Sequence, residues 1–229
     1  MLEKRVDGML VQPVAQAHDH LRLLADMKVP FVLIQREVPG LVADAVVTDN
    51  MFGAYQAVDH PVELGRRRIA YLTTHLELSP VRDRIEGYRR ALVQHDVLYD
   101  ERLVSRGDLS AAAAAESARA ALAATPRPDA IFAYNDLVAI RCLRALRDLG
   151  ARVPDDVALV GFDDILIAEF FEVPLTTVAQ PTQEIGQTAT NLLLDRIERG
   201  GPHAHTRIVL PPRLVVRASS GAPSRSASR

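Results

Sequence analysis

The run VALVGFDD (157–164) ends a stretch of apolar residues with two adjacent carboxylates. Asp163 and Asp164 at a strand end suit a general acid–base pair, a shared metal ion, or a clamp on ligand hydroxyls. The plainer alternative is that one of them caps the next helix, and one can cap while its neighbour faces a cleft. Asn135 has the same double reading. It stands between the strand-like DAIFAY and the helical NDLVAIRCLRALRDLG, where it can cap or offer donors and acceptors to a hydroxyl-rich ligand. Arg82 and Arg84 fall in the first turns of a helix opening at Ser79 and Pro80. Most helical arginines are solvated, yet a planar fork of donors near a strand end suits two hydroxyls or a carboxylate.

Other chemistries find little support. His18 and His20 point apart on a helix, and His203 and His205 have neither cysteine nor carboxylate to complete a metal set. Cys142 is the single cysteine, on an apolar helix face, so it reads as a core residue and no intramolecular disulfide can form. The sequence holds no phosphate-binding glycine loop and no serine elbow. No metal, cofactor or catalytic activity is therefore expected. Net charge is −2 in 229 residues, which gives no overall basic field for nucleic acid. The arginine run 66–68 fits the end of a helix dipole better than a nucleic-acid patch. No run is long enough to span a bilayer and the first residues do not read as a secretory signal, so a cytoplasmic protein is expected.

These residues need strands and helices to place them, and the two alternate along the chain. Strands are expected at 6–13, 29–34, 43–48, 68–73, 129–134 and 157–161, with a final strand pair in 207–217. Helices are expected at 15–27, 49–65, 79–96, 109–125, 135–150 and near 181–200. Pro61 is expected to kink the second helix. Such alternation predicts an α/β fold with parallel sheets covered on both faces, and ligands then bind beyond the carboxyl ends of the strands. The polar residues there are Gln35, Thr73 to His75, Asn135, Asp136, Asp163 and Asp164.

The stretches RVDGMLVQP, DNMFGAYQAVDH, ELGRRRIAYL, RIEGYRRAL, PDAIFAYNDLVAI, RVPDDVALVGFDD and PLTTVAQP, in that order and spacing, resemble the LacI/GalR family over residues 4 to about 219. The resemblance implies a two-lobed, periplasmic-binding-protein-like (type I) fold with a small effector, a sugar or sugar derivative, in the crevice between lobes. It implies an N-terminal lobe from 1–48 and 178–208 and a C-terminal lobe from 49–177 and 209–218, while the composition of residues 219–229 is that of a disordered tail. Carried over by position, ligand contacts fall on Arg84, Asn135 and Asp163, with Gln35 on the other lobe and Gln180 as a weaker candidate. Asp164 is then left as the helix cap.

Some positions depart from the pattern. Gln35 stands where many relatives have Asp, and Leu109 where an aromatic ring often stacks on the ligand. The family's helix-turn-helix head and hinge have no candidate here, and the first lobe reads as incomplete, starting at its third strand. Operator DNA would then be reached only through that head, most simply from a homodimer. The expectation is the effector-sensing part of a transcriptional regulator. The alternatives are an exported sugar-binding protein of a transporter and an enzyme using Asp163.

Overall fold

The structure is a computed structural model that describes residues 6–14, 18–74, 78–108, 110–201 and 204–221. In chain order its strands are β1 (Met9–Val11), β2 (Phe31–Ile34), β3 (Asp44–Thr48), β4 (Ile69–Thr74), β5 (Val104–Gly107), β6 (Ala130–Ala133), β7 (Ala158–Val160), β8 (Thr177–Ala179), β9 (Arg207–Leu210) and β10 (Arg213–Val215). The helices are α1 (Asp19–Asp26), α2 (Asn50–Glu63), α3 (Ser79–Gln94), α4 (Ala111–Ala123), α5 (Asp136–Asp148) and α6 (Thr182–Arg199).

Two compact units result. Residues 1–49, 77–82 and 181–211 form the first, and residues 50–76, 83–180 and 212–229 the second. The junctions lie one residue beyond the expected 48 and three beyond the expected 177 and 208, and segment 77–82 joins the first unit.

The first unit is a parallel sheet in the order β1-β2-β3-β9. All five residues of β3 are buried, as a strand covered on both faces requires. Leu21 and Leu24 of α1 pack with Leu33, Ala45 and Val47 on one face, while Ile185 and Ala189 of α6 join Val32, Val46 and Leu210 on the other. Arg196 of α6 holds the buried Asp44 through Nε at 3.0 Å and Nη2 at 3.2 Å.

The second unit has a parallel sheet in the order β5-β4-β6-β7. One face buries Ile69, Tyr71, Phe132 and Val160 against α2 and α3, with Tyr71 and Phe132 stacked at 4.7 Å between ring centroids. The other buries Leu72, Ile131 and Leu159 against α4 and α5. Ala114, Ala118 and Ala121 face Cys142 and Ala145 there, and small side chains on both helices allow close approach. The alanine run is thus core as well as helix former.

Several expectations need correction. The strand pair expected in 207–217 does not exist as a pair: β9 joins β3 in parallel, and β10 pairs antiparallel with β8. Pro211 and Pro212 separate them, since proline cannot continue a ladder. The short strands β5 and β8 were not foreseen. The tail expected from 219 is folded as far as Gly221. Ser219 and Ser220 are buried, and Ser219 Oγ donates to Leu159 O at 2.6 Å. The arginine run is structural: Arg66 donates to Pro154 O at 2.8 Å, and the backbone N–H groups of Arg67 and Arg68 both donate to the Asp129 carboxylate.

Candidate functional site

Arg84 lies on the second turn of α3, and its side chain is 4% exposed. Nε donates to Asn50 Oδ1 at 2.9 Å and Nη1 to Tyr134 O at 2.5 Å. The central guanidinium carbon is 3.6 Å from the Phe162 ring centroid and 4.7 Å from that of Tyr134. A buried cation is thereby held by two acceptors and two π-faces. Arg82, two residues earlier, is exposed.

Asn135 is the N-cap of α5, with Oδ1 accepting from Val138 N–H at 3.0 Å. The capping reading therefore holds, while the amide nitrogen takes no part in the cap. The residue lies between Tyr134, whose carbonyl takes Arg84, and Asp136, whose N–H donates to Phe162 O at 2.8 Å.

Asp163 follows β7 with a φ of 117° and donates its N–H to Val178 O at 2.8 Å. Its Oδ1 accepts from Gln180 Nε2 at 2.7 Å and stands 3.8 Å from Arg84 Nη2. The latter distance is too long for a hydrogen bond, so donor and acceptor are set side by side without closing on one another. Asp164, expected as a cap, is not one. Its Oδ1 accepts from Arg217 Nη2 at 2.7 Å, and the 3₁₀ turn at Leu166–Glu169 has no side-chain cap. Ile165 N–H is taken instead by Asp136 Oδ2 at 2.9 Å. Asp136 is fully buried, and burial pushes its carboxyl up to about 7.

The second unit thus brings Arg84, Asp163 and Gln180 together, and Asn135 follows Tyr134, whose carbonyl Arg84 holds. Gln35 belongs to the first unit, at the end of β2, with a φ of 65° and its N–H on Val46 O at 3.0 Å. Leu109 and His75 lie outside the described residues. Sequence reasoning missed Asn50 as the partner of Arg84, the two rings, and the loop-holding roles of Asp136 and Arg217. Asp136 did stand among the strand-end polar residues, which was the available signal. Among the described residues no group of side chains could hold a metal ion, and no helix is long and apolar enough to cross a membrane.

Comparison with known proteins follows the same outline. Residues 58–220 match the periplasmic binding protein-like domain. The HTH-type transcriptional regulator DegA of Bacillus subtilis (strain 168) is 36% identical across 95% of this chain and 65% of its own length. A solved complex of the transcriptional regulator CelR with cellobiose is 39% identical and covers 93% of this chain and 66% of that one, with a TM-score of 0.86. A LacI-family regulatory protein from Chloroflexus aggregans is 31% identical, covering 94% of this chain and 77% of that one, with a TM-score of 0.85. The chain spans slightly less than two thirds of the length of the DegA relative. These relatives are regulatory proteins, two of them named as regulators of transcription. This chain belongs to the LacI family of transcriptional regulators and carries the family's periplasmic binding protein-like domain.

Proposed function

We propose that this chain is the effector-sensing part of a LacI-type regulator, and that Arg84, Asn135, Asp163 and Gln180 bind a neutral, hydroxyl-rich ligand, a sugar or sugar derivative. The observation that carries this is the 3.8 Å spacing of Arg84 Nη2 and Asp163 Oδ1. One ligand hydroxyl can accept from the first and donate to the second, and cellobiose in the complex of the similar CelR is a ligand of that kind. Gln35 and Leu109 are the remaining candidates. The ligand acts by population shift: it binds one conformation of the sensor better, and a DNA-reading head responds on operator DNA in the cytoplasm.

The sensor works as a homodimer. Leu166 and Phe170 are 83% and 72% exposed, and Phe171, next to Phe170 in the chain, lines a groove of about 970 Å³ with Leu143 and Val173. Arg144 and Arg147 rim the groove together with Asp148 and Glu172. A face that mixes both charge signs around an apolar centre is suited to meet its own copy across a two-fold axis.

Thermal-shift screening of the chain against neutral mono- and disaccharides and nucleosides tests the reading. A sugar that raises the unfolding temperature supports it, and stabilisation by nucleosides alone contradicts it.

A further inference from the structure

Asp163 and Asp164 both occupy left-handed backbone, with φ of 117° and 55°, a region that non-glycine residues disfavour. A two-residue loop of that shape has to be held from outside, and one residue does so at both ends. The backbone N–H of Asp136 donates to Phe162 O at 2.8 Å, and its Oδ2 accepts from Ile165 N–H at 2.9 Å. The pair 163–164 is bracketed between those two bonds. Asp136 Oδ1 accepts from Thr177 Oγ1 at 2.5 Å, and the next residue on that strand, Val178, takes the Asp163 N–H. Gly161 completes the fit, because a Cβ there would come within 2.2 Å of Asp136 Oδ1.

We propose that Asp136 is a positioning residue that sets the direction in which Asp163 presents its carboxylate, and that its protonation state is coupled to this geometry. The inference rests on the ligand site proposed above and adds regulation to it. Burial disfavours the ionised form, and the nearby carboxylates of Asp163 and Asp164 disfavour it further, against the two hydrogen bonds that favour it. The protonated acid keeps both bonds, since the Thr177 hydroxyl can turn from donor to acceptor while Oδ2 still receives Ile165 N–H. The ionised acid sets three carboxylates, at 136, 163 and 164, against two guanidiniums, Arg84 near Asp163 and Arg217 on Asp164. The resulting repulsion loosens the loop, so ligand affinity falls as pH rises through neutrality. Among the described residues His60 also reaches the start of this strand: it meets Ser220 Oγ at 2.9 Å, and Ser220 in turn accepts from the Oγ1 of Thr176, which precedes the strand. Burial moves the His60 imidazole below its ordinary value.

The experiment compares the parent chain with Asp136→Asn, which can keep the bracket without titrating, and Asp136→Ala, which cuts the Ile165 and Thr177 bonds. Amide NMR signals of Asp163 and Ile165 are followed from about pH 5.5 to 8.5. In the parent both shift with a midpoint near 7, and in Asp136→Asn they do not. In Asp136→Ala the Asp163 amide exchanges at least about tenfold faster while the amides of β7 keep their protection. A titration that persists in Asp136→Asn, or Asp163 exchange unchanged in Asp136→Ala, overturns the proposal. Cellobiose calorimetry at about pH 6 and pH 8 adds the functional arm, with weaker binding at the higher pH in the parent only. Equal binding by the parent at both values also counts against it. A parent that binds no cellobiose counts against cellobiose as its ligand, and the amide titration still decides this proposal.

Discussion

Asn50 and Arg84 meet through a single hydrogen bond, Oδ1 to Nε at 2.9 Å, with both side chains buried. The bond aims the guanidinium, because it fixes one edge while Tyr134 O fixes another. Replacing Asn50 with Ala removes the acceptor of a buried charged donor. Stability is expected to fall by about 1–3 kcal/mol, measured by urea unfolding, and ligand affinity to fall with it. Unchanged affinity in the folded variant would show that Arg84 is aimed by something else.

Asp136 also links stability to pH. Its folded value, about 7, lies above the ordinary 3.8, so the native state binds the proton more tightly than the unfolded chain. The stabilisation is complete below about pH 4 and lost as pH rises toward 7. Against Asp136→Asn as reference, the parent's urea midpoint is expected to decline across that window and then level off. A difference that stays flat contradicts it.

Gly161 should tolerate no side chain while Asp136 is present. Gly161→Ala, with Cβ within 2.2 Å of Oδ1, is expected to cost about 3 kcal/mol. In an Asp136→Ala background the same change should cost clearly less, and urea titration of the four chains measures that coupling.

The apolar face around Phe170 has its own test. Leu166→Glu and Phe170→Glu place charge on exposed positions, so the fold should persist while sedimentation shows monomer in place of dimer. A parent that sediments as a monomer, or variants that remain dimeric, would remove this face as the interface.

Cys142 is fully buried, and burial pushes its thiol up to about 12. A thiol reagent should modify it only through unfolding, at a rate that rises with urea. Fast labelling of the native chain would show that the α4–α5 packing opens.

Much of this architecture was legible because apolar runs such as FVLI, AVV and AIFA have to be buried on two faces. The strands β5 and β8 were not, since VSRG and TVA are short and carry no such run. The cap at Asn135 was readable because its partner, Val138, is three residues away. The pairs Arg84–Asn50, Asp164–Arg217 and Asp136–Thr177 join residues tens of positions apart, and nothing local in the chain announces them. Ser219 and Ser220 misled for the opposite reason. Their composition suggests a solvated tail, yet hydrogen bonds to Leu159 and Thr176 allow them to be buried.

Titration calorimetry of the best-stabilising sugar from the screen, cellobiose included, against the parent, Arg84→Met and Asp163→Asn is the most direct test of the site. One ligand per chain is expected for the parent, with affinity at least about tenfold weaker in each variant while Asp163→Asn keeps its unfolding temperature. Equal affinity in all three, or no sugar binding by the parent, would contradict the account.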